Sequence, residues 1–192
     1  MSWYPGLDVL PTLEAPRLRL RMLRDGDADA IFAVFGDPQV MRYASRPAMT
    51  ERAAAAAYIE GIRHDFTARR LFQWGIERRG DGAVIGTVTL FSLNAQCRRA
   101  EIGYMLGRAH WGAGFASEAV GTVVDHAFAR EGLDLLRLEA DIDPRNAASA
   151  RLLERVGFKL EGTLRERWIV NGEVSDSGLY GLLARERAAL RG

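Results

Sequence analysis

The stretch Trp111-Gly-Ala-Gly-Phe-Ala116, followed at once by an apolar stripe at Ala116, Ala119, Val120, Val123, Ala127 and Phe128, constrains this chain more than any other. The stripe has helical spacing, so the glycines open a helix. Free backbone N–H groups and the positive end of the helix dipole then face the turn, which suits a phosphate or pyrophosphate. The plainer alternative is that Gly112 and Gly114 only let the chain turn sharply. Before the turn, Arg99 to Leu106 reads as a strand. After the helix, Leu136, Leu138, Ala140 and Ile142 alternate with Arg137, Glu139 and Asp141 in the period-2 pattern of another. A Walker A loop needs a lysine here, and Lys159 is the only lysine in the chain. A dinucleotide fingerprint fits in part: Gly112-x-Gly114-x-x-Ser117 lacks the third glycine, and Asp141 and Asp143 compete as the ribose ligand.

The rest of the chain supplies the elements around this unit. Arg17 to Leu23 reads as a strand, with Arg17, Arg19, Arg21 and Arg24 as the wet face of a half-buried segment and nucleic-acid binding as the alternative. Asp25 to Phe35 reads as a helix ended by Gly36-Asp37-Pro38, and Thr50 as the cap of a second helix running to about Arg63. Phe72 to Arg78 and Val84 to Leu93 form an antiparallel hairpin about Gly80-Asp81-Gly82. A helix begins near Asn146 and stops at Gly157. Phe158 to Val170 and Glu173 to Leu183 flank Asn171-Gly172, a strong hairpin signal. Strands come first and a single strand-helix-strand unit sits in the middle, so a doubly wound dinucleotide fold, which alternates throughout, does not fit.

A chain of 192 residues accommodates one α/β domain spanning 1–192. With 26 basic and 25 acidic residues there is no global field to draw it to nucleic acid or anionic lipid. Cys97 is the only cysteine, which excludes an intramolecular disulfide. His64, His110 and His126 are scattered without metal-ligand spacing, so no metal cofactor is expected. The start carries no basic, apolar signal segment and no run is long enough to span a membrane, so a cytoplasmic location is expected.

Beyond Ile142 comes Asn146-Ala-Ala-Ser-Ala-Arg-Leu-Leu-Glu-Arg-Val-Gly-Phe158, and together with Trp111-Gly-Ala-Gly-Phe-Ala-Ser-Glu-Ala119 it resembles the two adjacent core motifs of the GNAT superfamily of acetyl-CoA-dependent N-acetyltransferases. The likeness is closest to the branch of ribosomal-protein alanine and serine N-terminal acetyltransferases. That branch is also similar at Ala15 to Arg21, Asp25 to Ala28, Asp37 to Met41, Asn171-Gly172, Asp176 and Tyr180 to Leu182, so the resemblance covers about Leu13 to Glu186. It implies a mixed, mostly antiparallel twisted sheet with a central strand-helix-strand unit and flanking helices. The strands ending at Leu106 and Ile142 would be parallel neighbours that splay apart into a slot. Pantetheine would lie there, paired with backbone near Met105 and Leu106, with the pyrophosphate on the N–H groups of Ala113, Gly114, Phe115 and Ala116. Trp111 and Phe115 would line the channel, Gly112 would complete the turn, and Asn146 would serve as helix N-cap and pantetheine partner together.

Acetyl transfer from a thioester to an amine needs a neutral amine, an oxyanion stabiliser and a proton for the departing thiolate. Related acetyltransferases place a basic glutamate at the Glu139 position, and Glu101 belongs to the Glu-Ile-Gly-Tyr sequence usual in this branch. Either serves as general base, or as an exposed strand carboxylate paired with arginine. Ser149 is a proton donor or a first-turn hydroxyl bonded to backbone. Some relatives carry a tyrosine acid at the position of Leu153, which removes that acid here; Tyr104 and Tyr180 are unplaced substitutes. The oxyanion would sit on a backbone N–H near Met105. The resemblance implies a primary amine acceptor, an α-amine of a protein or peptide by its branch, with self-association as a homodimer compatible. A polyamine or aminoglycoside acceptor, or a catalytically silent acyl-CoA-binding module, remain as alternatives.

Overall fold

The structure, a computed structural model, describes residues 8–170 and 172–190. Eight strands form one sheet in the order β1-β2-β3-β4-β5-β6-β8-β7: β1 (Leu13–Glu14), β2 (Leu18–Arg21), β3 (Phe72–Arg78), β4 (Val84–Asn94), β5 (Arg99–Leu106), β6 (Arg137–Ile142), β7 (Lys159–Val170) and β8 (Glu173–Leu183). Every neighbouring pair is antiparallel except β5 and β6. That exception follows from the glycine-turn helix between them, since a parallel pair needs a crossover.

Two layers of helix cover the sheet. On one face, α3 (Phe115–Phe128) lays its stripe of Ala119, Val120, Val123, Val124 and Ala127, all fully buried, against Trp74, Val88, Leu90 and Ile102. The shorter α4 (Ala147–Val156) and α5 (Ala184–Ala189) extend that side, with Leu153 and Val156 in the same core. On the other face, α1 (Ala28–Phe35) and α2 (Arg52–Thr67) bury Ile31, Phe35, Ala55 and Ile59 around Leu23 and Met41.

Several expected boundaries move, each for a local reason. Asp25 to Asp27 form a 3-10 turn before α1, and Glu51, in extended conformation, precedes α2 in place of Thr50 and makes no side-chain cap bond. Asn146 does cap α4, its Oδ1 accepting the Ser149 N–H at 3.1 Å, and Gly157 ends that helix with φ of 112°. The β7–β8 connection spans two residues; Gly172 has φ of 81°, and Asn171 lies outside the described residues. The arginine face of β2 is not uniformly wet. Arg19 is half-exposed, whereas Arg21 is buried, its guanidinium holding Asp27, in the turn just ahead of α1, at 2.7 Å and also Glu77.

This cluster ties β2 and β3 to the start of α1. Burial drives the Asp27 carboxyl up, but the Arg21 guanidinium and the Arg24 N–H, 2.7 Å away, hold it below the ordinary carboxylate range. A carboxyl depressed in the folded state stabilises fully above its unfolded pKa of about 3.9 and loses that contribution as pH falls through the lower folded value. Arg21→Met, which takes the buried guanidinium from Asp27 and Glu77 and leaves them the Arg24 N–H and Arg19, is expected to cost about 2–4 kcal/mol in urea unfolding at pH 7. The loss should narrow below about pH 4, as the Asp27 carboxyl takes up its proton. A variant as stable as the wild type at pH 7 would show the cluster to be unimportant.

Candidate functional site

The parallel ladder between β5 and β6 is only three residue pairs long, Arg99 with Arg137, Ala100 with Leu138 and Glu101 with Glu139. Past Glu139, β6 stays with β8 as far as Ile142 opposite Gly178, while β5 stays with β4 as far as Leu106 opposite Gly86. The two strands therefore part at their C-terminal ends, the location where α/β sheets take ligands. Arg98 O accepts from the Leu136 N–H at 2.7 Å, and the Gly107 N–H donates to Ile85 O on β4 at 2.8 Å. With those two anchors, strand alternation turns the main chain of Tyr104 and Leu106 toward the opening and that of Met105 toward β4. The Leu106 carbonyl accepts from the Trp111 indole at 2.8 Å, so the half-exposed Trp111 braces the end of β5 against the glycine turn.

At the mouth of the opening, Gly112 and Gly114 have φ of 76° and 79°. Six successive backbone N–H groups, Gly112 to Ser117, donate to no acceptor among the described residues, and a Cβ on Gly112 would meet nothing within 4 Å. Orphan donors, positive-φ glycines and a helix N-terminus together form a concave anion site. It has a partner that the sequence did not disclose. Arg17, just ahead of β2, donates through Nε and its backbone N–H to the two Glu118 carboxylate oxygens at 2.7 Å each, and through Nη1 to Ala113 O at 2.9 Å. Its guanidinium also lies 4.6 Å from the centroid of the Phe115 ring. Arg17 thus neutralises the one carboxylate in the first turn of α3 and pins Ala113 in place.

Deeper in, the two faces of β5 carry different chemistry. On the α3–α4 side, the Tyr104 phenol and the Ser149 hydroxyl share a hydrogen bond of 2.5 Å, so Ser149 engages a side chain in preference to its helix backbone. Burial pushes the Tyr104 phenol up to about 12, against the opposing effect of the Ser149 bond. Leu153 is buried in the core, and Tyr180 faces the same side from β8, opposite Ala140. Glu101 and Glu139 stand side by side in register on the α1–α2 side, at the last pair before the strands part. Glu139 receives Arg99 on one oxygen at 2.6 Å and Arg137 on the other at 2.7 Å. Glu101 has no ion pair or hydrogen bond among the described residues, which leaves its carboxylate open to a ligand.

Among the described residues no group of three or more His, Cys, Asp or Glu is placed to hold a metal ion, and no helix is long and apolar enough to cross a membrane. The single cysteine, Cys97, is exposed.

Comparison with known proteins puts this geometry in a family. The acetyltransferase (GNAT) domain model matches residues 17–159. The "Uncharacterized N-acetyltransferase YoaA" of Bacillus subtilis (strain 168) is 39% identical over 175 residues, covering 91% of this chain and 98% of that protein. The spermidine N(1)-acetyltransferase of Escherichia coli (strain K12) is 26% identical, covering 83% of this chain and 82% of that protein. Among solved structures, Mycobacterium smegmatis RimJ in complex with CoA-disulfide superposes with a TM-score of 0.81 at 26% identity, covering 95% of each chain. The chain belongs to the GNAT family, and its activity is that of an acetyl-CoA-dependent N-acetyltransferase.

The cradle yields a direct test. Gly114→Glu puts a bulky anion among the orphan N–H groups, while its Cβ would meet only the Arg17 guanidinium at 3.4 Å. The left-handed backbone costs a side chain about 1 kcal/mol, which a folded domain tolerates. Titration calorimetry is expected to show acetyl-CoA binding abolished in a variant with wild-type circular dichroism. Wild-type affinity there would place the phosphates elsewhere.

Proposed function

We propose that this enzyme acetylates the α-amine of a peptide or protein N-terminus by direct attack, with Glu101 as base and Ser149, backed by Tyr104, as acid. The observation that carries this reading is the placement of the two groups on opposite faces of β5, at the point where it leaves β6. Acetyl-CoA, when bound, supplies an acetyl thioester. Ala113, Gly114, Phe115 and Ala116 would hold its pyrophosphate through their N–H groups, with Gly112 and Trp111 shaping the turn. The slot-facing main chain of Tyr104 and Leu106, with Met105 between them turned to β4 and not, as expected, to the slot, would border its pantetheine together with Asn146 at the start of α4.

An amine entering from the α1–α2 side meets the open carboxylate of Glu101, which takes the ammonium proton. A peptide α-amine has a pKa of about 7.7–8.0, against about 10.4 for lysine, so a weak base suffices. Glu139 has a guanidinium on each oxygen, so both are already engaged, and it serves to fix β6 beside Arg99. A slot-facing N–H of β5, from Tyr104 or Leu106, would stabilise the oxyanion. On the far face, the Ser149 hydroxyl would give its proton to the departing thiolate and recover one from the Tyr104 phenol, and the proton shed by the attacking nitrogen as it becomes an amide returns through solvent to restore the phenol. The resemblance to the ribosomal-protein branch, which covers about Leu13 to Glu186, supports a protein N-terminus, and the balanced charge of 26 basic and 25 acidic residues supports an acceptor that is not a polycation. The same reading carries a cytoplasmic location. A homodimer would cover apolar side chains that the β7–β8 hairpin leaves exposed, Leu160, Ile169 and Val174.

Glu101→Gln is expected to lower turnover about 100-fold near neutral pH, with acetyl-CoA binding unchanged and the deficit shrinking as pH rises and free amine appears. Glu139→Gln should lower it far less. Equal, small effects in both variants would leave deprotonation to solvent. Labelled acetyl-CoA offered with N-terminal peptides, spermidine and an aminoglycoside, followed by mass spectrometry, tests the acceptor. Labelled spermidine or aminoglycoside with untouched peptides overturns the assignment, and cofactor binding without any turnover indicates a silent module.

A further inference from the structure

On the α1–α2 face, a groove of about 490 Å³ runs between α2 and the sheet, with Arg46, Tyr58, Gln73, Thr89 and Phe91 among its lining. Gln73 on β3 is only 2% exposed. Its Oε1 accepts from the Tyr58 hydroxyl at 2.7 Å and from the Thr89 hydroxyl at 2.8 Å. Both hydroxyls donate to the carbonyl end, and the Nε2, with two N–H groups, has no partner. A buried donor without an acceptor is unfavourable, and native structures rarely keep one without a use. Arg46 is in a matching condition. Its guanidinium lies over the rings of Tyr58 at 5.0 Å and Phe35 at 5.7 Å and makes no ion pair among the described residues. The one carboxylate in the lining, Asp65, already accepts from Arg70 at 2.9 Å.

The groove leads to the reaction point. Gln73, Thr89 and Gly103 stand opposite one another across β3, β4 and β5, and in the next row Phe91 stands opposite Glu101. A side chain on Gly103 would press on the Phe91 ring at 3.2 Å, so the glycine keeps this floor low. Two strand spacings, about 10 Å, separate Gln73 from β5, a distance that about three residues of extended peptide cover.

We propose that Gln73, assisted by Arg46, is a specificity-determining contact for the acceptor, taking a carbonyl or carboxylate oxygen of a peptide whose α-amine lies at Glu101. The inference rests on the peptide reading above and deepens it. A polyamine has no oxygen to offer; it would bring further positive charge to Arg46 and leave the Gln73 amide starved. A peptide brings a carbonyl every residue.

The test compares wild type with Gln73→Glu, which keeps both hydroxyl bonds and loses the donor, and with Arg46→Gln at an exposed position, using the tripeptides Ser-Ala-Ala and Ala-Ala-Ala and spermidine. For the tripeptides, kcat/KM is expected to fall about tenfold or more in Gln73→Glu and less in Arg46→Gln, mainly through KM, with acetyl-CoA binding unchanged. Spermidine turnover should not fall. Independently of any variant, the side-chain amide signals of Gln73 in the wild-type NMR spectrum should move saturably with tripeptide and stay still with spermidine. Tripeptides acetylated equally well by wild type and Gln73→Glu, or amide signals unmoved by tripeptide, overturn this inference and leave the peptide reading standing. Spermidine acetylated while all peptides are refused overturns both.

Discussion

The early end of the β5–β6 ladder is the constraint on which the rest of the site depends. Three parallel pairs hold the strands together, and then each follows its antiparallel neighbour, β5 toward β4 and β6 toward β8. A strand that loses its partner inside a sheet leaves main-chain donors and acceptors facing a gap, a deficit of about 1–3 kcal/mol for each group kept from water. Among the described residues that deficit is met only at the rim, where the Trp111 indole donates to the Leu106 carbonyl. Further in, a ligand with its own amide groups is the natural complement, and pantetheine is such a ligand. The parting also separates the chemistry, since side chains on β5 alternate between the face with Glu101 and the face with Tyr104.

Arginine holds the frame around that gap. Arg17 joins the start of β2 to the first turn of α3, Arg21 joins β2 and β3 to the entrance of α1, and Arg99 and Arg137 grip Glu139 from neighbouring strands. A planar guanidinium with several donors can serve two oxygens in fixed directions, which a lysine ammonium does less well. Arg46 uses its guanidinium differently, lying over the rings of Tyr58 and Phe35.

Much of this was legible in the residues, because the signals were local. The glycine turn, the α3 stripe, the alternation of β6, the Asn146 cap and the Gly157 stop depend on neighbours in sequence, and each lies within a residue or two of its expected place. What depended on distant partners was not legible. Period-2 spacing put Arg17, Arg19 and Arg21 on one wet face, but Arg21 is buried against Asp27 and Glu77, and Arg17 precedes the strand to reach α3. Both glutamates follow an arginine by two residues, Arg99-Ala-Glu101 and Arg137-Leu-Glu139, so sequence could not separate them; the fold directs both arginines to Glu139. Ser149 meets Tyr104 across 45 positions, and Gln73 is unremarkable until Tyr58 and Thr89 occupy its carbonyl.

Amide hydrogen exchange with and without acetyl-CoA tests the slot most directly, because the unpaired stretch of β5 and the orphan N–H groups of the turn report on it without mutation. The account predicts that saturating acetyl-CoA slows exchange in two segments together, Ile102 to Leu106 and Gly112 to Ser117, with β7 and β8 little changed. Protection confined to other segments, with both of these exchanging as in the free protein, would contradict it.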